Sequence, residues 1–203
     1  MLMQSDLSTN PLFEKVISEY LQNGYCIVDD WLTHEQTSIL KKEILGIYND
    51  DLFKKAAIGN KFEENIAKQI RGDFIYWLDE PSMAKAFFKK TNDFIEYINK
   101  TCFAGIVSKE FHYAVYPTGT FYKKHIDTFQ KDDKRSISIV FYLNDEWHKS
   151  YGGELALYLK DKTLKIYPTI GKIVIFDSKT IPHEVLPVLQ NQRYSITGWL
   201  KTS

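Results

Sequence analysis

The chain has 203 residues, with 26 basic and 26 acidic side chains, no net charge and a hydrophobic content of 44%. This composition suits one sizeable globular core, and a neutral chain lacks the positive field of a nucleic-acid-binding protein. Because we find neither a signal peptide nor an apolar run approaching the roughly 18 residues that span a bilayer, we expect a cytoplasmic protein without a membrane partner.

The first half of the chain has apolar residues at helical spacing in three segments. Asn23 and Gly24 supply a common stop for the first helix. Thr33 and Gln36 form a Thr-x-x-Gln capping box at the start of the second. The predicted helices span 11–22, 33–48 and 81–101, the last beginning at Pro81 and Ser82.

Two short segments of this half have the character of strands, at 25–28 and 74–77. The remainder of 49–79 is polar and irregular. From Glu110 onward, strands alternate with turn residues at short intervals, which indicates an antiparallel sandwich or barrel. Eight strands are predicted, at 111–116, 122–126, 136–143, 154–159, 163–166, 172–177, 183–185 and 193–200.

Eight short strands preceded by helices predict a mainly β fold with flanking helices. Its core is a jelly roll, or double-stranded β-helix, supported by N-terminal α-helices. We expect residues 1–203 to form a single domain, with helical support over 1–105 and the jelly-roll core over 106–203.

His125 and Asp127 are two residues apart, so on a strand both side chains leave the same face and can bind one ion. A jelly roll brings a late strand beside this one, which makes His183 the candidate third ligand. Two histidines and one carboxylate leave open positions on a metal, as in non-haem Fe(II) sites that bind a cosubstrate and dioxygen. A structural zinc site would have four protein ligands, often thiolates.

Arg193 begins a strand in which Ser195, Thr197 and Trp199 share its face. An arginine that points into the barrel requires an anionic partner, which a dicarboxylate cosubstrate would supply. The alternative is a surface salt bridge. On the central strand, Tyr142 faces away from the apolar side and could donate to the same carboxylate. The predicted outer, helix-facing positions of that strand are Ile137, Ile139, Phe141 and Leu143.

These residues resemble the signature of the Fe(II)/2-oxoglutarate-dependent dioxygenases. The surrounding segments are similar to the prolyl hydroxylases of the oxygen-sensing type and their bacterial relatives. The resemblance covers 111–203 and one upstream segment. The matching pieces are 70–73 with Trp77, Tyr116-Pro117, Tyr122-x-x-His125, 141–144, Gly152-Gly153, 182–185 and 193–199.

The resemblance implies roles for eleven residues. His125, Asp127 and His183 would bind iron. Arg193 and Tyr142 would bind the distal carboxylate of 2-oxoglutarate, with Tyr116 and Thr197 near the metal pocket. The segment from Arg71 to Trp77 would belong to a loop and strand that close over the substrate. The substrate-side candidates are Arg71, Asp73, Trp77 and Trp199. For these four, a simple Arg71–Asp73 pair and two core tryptophans remain the structural alternative.

The resemblance also implies the reaction. A 2-oxoglutarate-dependent dioxygenase uses Fe(II), dioxygen and 2-oxoglutarate, with ascorbate as a reductant, to hydroxylate a carbon. The expected substrate is an accessible proline loop of a protein, with the 4-position favoured. Residues 152–155 also resemble ribosomal-protein prolyl hydroxylases, which modify a different ring carbon. A free amino acid or small metabolite is an alternative substrate, and a catalytically silent jelly-roll metal-binding module is an alternative function.

A few reactive residues stay outside the predicted site. His112 is expected to be a partly buried strand histidine, with an inward orientation as the alternative. His34 and His148 are expected to be solvated. Cys26 and Cys102 are too few and too distant for a disulfide framework, so we expect two buried free thiols.

Overall fold

The computed structural model describes residues 9–56, 70–80, 82–128 and 134–203. Within these ranges the helices are α1 (Pro11–Asn23), α2 (His34–Asn49) and α3 (Lys85–Cys102). The side chain of Asn10 caps α1 by accepting hydrogen bonds from the backbone N–H groups of Leu12 and Phe13. The helix ends at Gly24, whose φ of 80° is left-handed. The predicted stop at Asn23 and Gly24 is therefore confirmed.

The predicted capping box of α2 is also confirmed. The Thr33 hydroxyl oxygen accepts from the Gln36 backbone N–H at 3.2 Å, and the Gln36 side chain accepts from the Thr33 N–H at 3.1 Å. These reciprocal bonds satisfy two backbone donors that the first turn of a helix leaves free. Local sequence alone therefore determines where α2 begins.

The start of α3 differs from the prediction, which placed it at Pro81 and Ser82. The Ser82 hydroxyl donates to the Asp79 carbonyl oxygen at 2.9 Å, in a turn that precedes the helix. Ala84 then has a left-handed backbone, with φ of 48°, so regular helical geometry starts only at Lys85. The prediction was wrong because this turn uses the residues that looked like a helix start; Pro81 itself lies outside the described residues.

The described strands form two antiparallel sheets. The larger has the order β1-β9-β6-β11-β4-β3-β2 and the smaller the order β5-β10-β7-β8. The strands are β1 (Tyr25–Val28), β2 (Lys54–Lys55), β3 (Phe74–Trp77), β4 (Ile106–Tyr116), β5 (Tyr122–His125), β6 (Arg135–Tyr142), β7 (Leu155–Tyr158), β8 (Thr163–Ile166), β9 (Ile173–Asp177), β10 (His183–Val185) and β11 (Arg193–Thr202). This is the predicted mainly β architecture with flanking helices.

The eight strands predicted after Glu110 correspond to β4 through β11. The two strand-like segments of the first half are β1 and β3, which extend the larger sheet together with the unpredicted β2. β4 begins at Ile106, five residues before its predicted start, and β11 continues to Thr202. These two ends pair with each other, Thr202 opposite Ile106. Their length is set by pairing between strands, which local sequence patterns do not report.

The helices cover the outer face of the larger sheet. Ile139 and Phe141 of β6 are fully buried in one cluster with Phe87 of α3. The alternate residues Val140 and Tyr142 belong to a second cluster that also contains residues of the smaller sheet. The predicted division of β6 into a helix-facing side and an inner side is therefore confirmed.

The two cysteines are free, as expected, but only Cys26 is buried. Cys102 is exposed because it is the last residue of α3, beyond the part of the helix that packs on the sheet. The expectation of two buried thiols was wrong for this residue. None of the helices in the described ranges is long and apolar enough to cross a membrane.

Two glycines provide a test of the sheet. A Cβ on Gly198 of β11 would lie 2.0 Å from the Glu110 carbonyl oxygen of β4, whereas a Cβ on Gly46 of α2 would meet nothing within 4 Å. We expect Gly198→Ala to lower the free energy of unfolding by about 1–3 kcal/mol, because the added methyl group overpacks the strand pair. Gly46→Ala should raise it by about 0.5–1 kcal/mol through helix propensity. Urea denaturation measures both, and equal stability of Gly198→Ala and the wild type would contradict this packing.

Candidate metal and cosubstrate site

Two neighbouring strands of the smaller sheet carry the predicted histidines. His125 at the end of β5 lies directly opposite His183 at the start of β10. Asp127 follows His125 by two residues, and its two carboxylate oxygens lie 3.5 Å from Nε2 of His125 and 3.5 Å from Nε2 of His183. One potential ligand atom from each residue falls within 4.8 Å of the others. The structure thus brings together the three residues predicted to bind a metal.

Backbone carbonyls orient both imidazole rings. Nδ1 of His125 lies 2.7 Å from the Lys123 carbonyl oxygen, and Nδ1 of His183 lies 3.2 Å from that of Ile181. A proton on each Nδ1 would donate to the carbonyl and leave Nε2 with a free lone pair. Burial lowers the pKa of His183 to about 4, although the charge of Asp127 opposes the shift. His183 is therefore neutral near pH 7, the form that binds metals.

The Asp127 carboxylate is buried and supported from the larger sheet. The Ser138 hydroxyl donates to one of its oxygens at 2.6 Å and lies 2.7 Å from the Ser178 hydroxyl. Burial acts to raise the pKa of Asp127, but His183, His125 and the Ser138 hydrogen bond together hold that pKa below its usual value. Asp127 is consequently ionised and available as a ligand.

The donor set fits non-haem iron. Two imidazole nitrogens and one carboxylate on neighbouring positions form the 2-His-1-carboxylate triad, which leaves coordination positions free for other molecules. Within the described ranges, no cysteine or further acid joins this group. A structural zinc site would be closed by four protein ligands. The triad therefore matches a catalytic Fe(II) site better than a structural metal site.

Arg193 is buried beside this triad, with an exposed fraction of 1%. Its Nε donates to the Gly153 carbonyl oxygen at 2.9 Å, and a terminal nitrogen donates to the Ser195 hydroxyl at 3.3 Å. The rings of Tyr116 and Tyr142 each lie 5.0 Å from the guanidinium carbon. No carboxylate of the described residues forms an ion pair with it. Because an unpaired buried cation is costly, this arrangement requires an anionic ligand.

Tyr142 has a buried hydroxyl for which the described residues provide no hydrogen-bond partner. Burial raises its pKa, although the neighbouring Arg193 charge acts in the opposite direction. The hydroxyl is therefore protonated at neutral pH and available as a donor. An unpartnered hydroxyl group thus belongs to the residue whose ring lies 5.0 Å from the Arg193 guanidinium carbon.

A cavity of about 380 Å³ lies between the two sheets. Nine of the eleven predicted site residues line it: Arg71, Trp77, Tyr116, His125, Asp127, His183, Arg193, Thr197 and Trp199. Asp73 and Tyr142 are the two exceptions. Tyr142 packs in the inner apolar cluster, and Asp73 is buried behind Arg71.

Arg71 is held at the cavity by two partners. Its guanidinium binds both oxygens of Asp73, at 2.8 and 2.6 Å, so the predicted alternative of a simple pair is present. The guanidinium also lies 4.3 Å above the ring of Tyr122, which stacks on His125 with centroids 3.7 Å apart. A stack of three groups thus connects the substrate-side segment with a predicted metal ligand.

Trp77, His112 and Trp199 form an aromatic wall of the cavity. The ring of His112 lies 5.0 Å from Trp77 and 5.7 Å from Trp199. Trp77 is half-exposed, whereas Trp199 is 9% exposed and His112 only 3% exposed. The expectation of a partly buried strand histidine was wrong, because Trp77 of β3 and Trp199 of β11 pack against the His112 ring. The alternate spacing of His112, Ala114 and Tyr116 was the available signal.

The sequence interpretation missed three other residues of the site. Ser138 supports Asp127, and Tyr122 stacks on His125. Arg135 lies 3.6 Å above the Trp199 ring and is paired with Glu110 at 2.9 Å. Ser138 could have been found from its inward position on β6. Nothing in the local sequence indicates the partner of Arg135.

Comparison with known proteins agrees with this geometry. The 2OG-Fe(II) oxygenase superfamily profile matches residues 111–201. A Caenorhabditis elegans hypoxia-inducible factor prolyl hydroxylase is 30% identical over 92% of this chain, which spans 28% of that protein's length. A Pseudomonas putida prolyl-4-hydroxylase structure is 31% identical, with coverage of 94% of this chain and 99% of that one and a TM-score of 0.84.

A Trichoplax adhaerens prolyl hydroxylase, solved with a hypoxia inducible factor oxygen degradation domain peptide, is 26% identical. The superposition covers 94% of this chain and 89% of the Trichoplax chain, with a TM-score of 0.80. The chain belongs to the 2OG-Fe(II) oxygenase superfamily. Within that superfamily, these similarities lie with the prolyl hydroxylases.

The Ser138–Asp127 hydrogen bond predicts an effect on metal affinity. We expect Ser138→Ala to weaken Mn(II) binding about 10- to 100-fold, because the carboxylate loses the donor that orients it. Ser136→Ala on the same strand is the control, since the Ser136 side chain makes no hydrogen bond to the described residues. Calorimetric titration with Mn(II) measures the affinity of both variants. Equal affinities would show that Ser138 does not support the metal site.

Proposed function

We propose that the protein is an Fe(II)- and 2-oxoglutarate-dependent dioxygenase that hydroxylates a prolyl residue of a protein, at the 4-position. The observation that carries the proposal is the convergence of His125, Asp127 and His183 beside Arg193, which is buried and forms no ion pair with an acid of the described residues. The names of two similar structures support the finer points. One is a prolyl-4-hydroxylase, and the other was solved with a peptide.

We assign the ligands as follows. Two imidazoles and the Asp127 carboxylate would hold Fe(II), and Arg193 with Tyr142 would hold the distal carboxylate of 2-oxoglutarate. Tyr116 and Thr197 would contact the cosubstrate near the metal. With iron, 2-oxoglutarate and dioxygen bound, the site supplies the oxidising chemistry that hydroxylates an unactivated C–H bond and converts 2-oxoglutarate to succinate and carbon dioxide.

The contribution of the chain to this chemistry is positioning and exclusion of water. Val140, Leu155, Phe176 and Val185 give the cavity apolar walls around the polar groups. Charged groups in such surroundings interact strongly with their ligands because little water screens them. The bidentate geometry of the Arg193 guanidinium suits a carboxylate, and its burial fixes the distance between that carboxylate and the triad.

On the substrate side, Arg71, Trp77 and Trp199 would contact the target protein. Asp73 would act through Arg71, which it holds in place by a bidentate ion pair. We further propose ascorbate as a reductant. We also propose the cytoplasm as the compartment, because cysteines stay reduced there and both cysteines of this chain are free. Residues 1–203 would form one domain, and the extension of the larger sheet by β1 and β3 supports this.

The proposed function predicts oxygen incorporation into protein. The purified protein, mixed with Fe(II), 2-oxoglutarate and cell lysate and then exposed to oxygen, should form succinate and add one oxygen atom to proline-containing tryptic peptides. His125→Ala and Asp127→Ala should abolish both signals, because each removes a ligand of the triad. His34→Ala, which changes an exposed histidine of α2, should leave them unchanged.

Mass spectrometry with fragmentation locates the added oxygen and distinguishes the ring positions. Turnover that survives in His125→Ala or Asp127→Ala would show that the ligand assignment is wrong. If succinate forms without any modified protein and a free amino acid stimulates its formation, the substrate is a small metabolite and not a protein.

Arg193 predicts a separate effect on the cosubstrate. We expect Arg193→Met, which keeps most of the side-chain volume, to weaken 2-oxoglutarate binding about 10- to 100-fold through loss of charge-assisted hydrogen bonds. Calorimetry with the Mn(II)-loaded protein measures the dissociation constant. Mn(II) affinity should stay close to that of the wild type, and an unchanged 2-oxoglutarate affinity would assign Arg193 to structure alone.

A further inference from the structure

Two of the buried polar atoms without partners belong to residues that line the cavity. Among the described residues, five buried side-chain nitrogen or oxygen atoms have no hydrogen-bond partner: Trp31 Nε1, Thr91 Oγ1, His112 Nδ1, Tyr142 Oη and Trp199 Nε1. Trp31 and Thr91 are outside the cavity lining, and Tyr142 is accounted for by the anion proposed beside Arg193. His112 and Trp199 remain, and both line the cavity.

These two residues lie away from Arg193 along the same pair of strands. Tyr116 of β4 is opposite Arg193 of β11, whereas His112 is opposite Thr197. Four residues of a strand span about 13 Å. The carboxylate site at Arg193 and the unpaired groups of His112 and Trp199 are therefore far enough apart to bind different molecules.

Each of the two side chains has a hydrogen-bond donor to offer. The Trp199 indole N–H can only donate, and a neutral imidazole carries one N–H and one acceptor nitrogen. Burial, followed by repulsion from Arg71, lowers the pKa of His112 to about 4, so this ring is neutral at pH 7. The aromatic wall thus presents two uncharged donors, which require acceptors on a ligand.

A prolyl residue within a polypeptide has the matching chemistry. It has no backbone N–H, and its polar backbone groups are its own carbonyl oxygen and that of the preceding residue, which are both acceptors. Free proline also offers an acceptor, its carboxylate, but it carries a charged amine that needs acceptors or an acid. Asp127, a metal-ligand candidate, is the one acid among the described lining residues, whereas Arg71, Arg135 and Arg193 are cations.

We propose that His112 is a specificity-determining residue that donates, next to the Trp199 indole, to a carbonyl oxygen flanking the target proline. It thereby selects peptidyl proline over free proline. This inference rests on the proposed function and deepens it, because it identifies the groups that recognise the substrate backbone.

The test uses a small probe that contains the recognised groups and little else. N-acetyl-L-proline N-methylamide has carbonyl groups on both sides of the ring and no charge, whereas L-proline has the charged amine. Binding of each probe to the protein loaded with Mn(II) and 2-oxoglutarate is measured by ligand-observed NMR titration. The variants are His112→Phe, which keeps a flat ring without an N–H, and His112→Gln, which keeps a donor. His34→Leu is the control.

We expect the wild type and His34→Leu to bind the blocked probe more tightly than L-proline. His112→Phe should bind the blocked probe about three- to tenfold more weakly, the loss of one hydrogen bond. His112→Gln should recover most of that affinity. A 2-oxoglutarate-induced rise in melting temperature confirms that each variant is folded. A His112→Phe protein without that rise is replaced by His112→Leu, for which the same weakening is expected.

Unchanged affinity of the folded His112→Phe or His112→Leu protein for the blocked probe would overturn the inference. Tighter binding of L-proline than of the blocked probe to the wild type would do so as well. The proposed function is judged separately, by oxygen addition to lysate proteins. If lysate proteins are hydroxylated but probe binding does not depend on His112, only the role of His112 is wrong. If probe binding depends on His112 but no protein is hydroxylated, only the proposed function is wrong.

Discussion

Two of the charged side chains that line the cavity of this jelly roll form no ion pair with an arginine, a lysine or an acid of the described residues. They are the Asp127 carboxylate and the Arg193 guanidinium. The other two cavity arginines, Arg71 and Arg135, have acidic partners. In a low-dielectric interior, each lone charge favours a ligand of opposite sign. A divalent cation at the carboxylate and a diacid at the guanidinium meet both requirements at once, and the total charge of the cavity is unchanged.

Much of the fold follows from short-range chemistry. The capping box of Thr33 and the left-handed Gly24 determine helix ends from a few neighbouring residues. The period-two alternation of β6 separates a helix-facing side from an inner side, as predicted. The errors occur where the determinant is distant in sequence. β4 extends back to Ile106 because β11 pairs with it, and Cys102 is exposed because packing ends before the helix does.

The site was predictable to the extent that its residues share a strand face. Arg193, Thr197 and Trp199 alternate along β11 and all line the cavity. His125 ends β5, and Asp127 lines the cavity two residues beyond that strand. Residues that act by supporting others were not predictable in this way. Ser138 becomes important only because the two sheets bring it to Asp127, and the stacking of Tyr122 on His125 likewise depends on the folded geometry.

The stack of Arg71, Tyr122 and His125 bears on how a bound ion would leave. His125 is the most exposed of the three predicted ligands, and the Tyr122 ring covers one face of its imidazole. Turning this imidazole toward solvent requires displacement of Tyr122 and then of a guanidinium anchored by Asp73. Loss of the ion by this route is therefore coupled to movement of Arg71, a residue that we propose contacts the substrate. A substrate held against Arg71 would slow the escape of the metal.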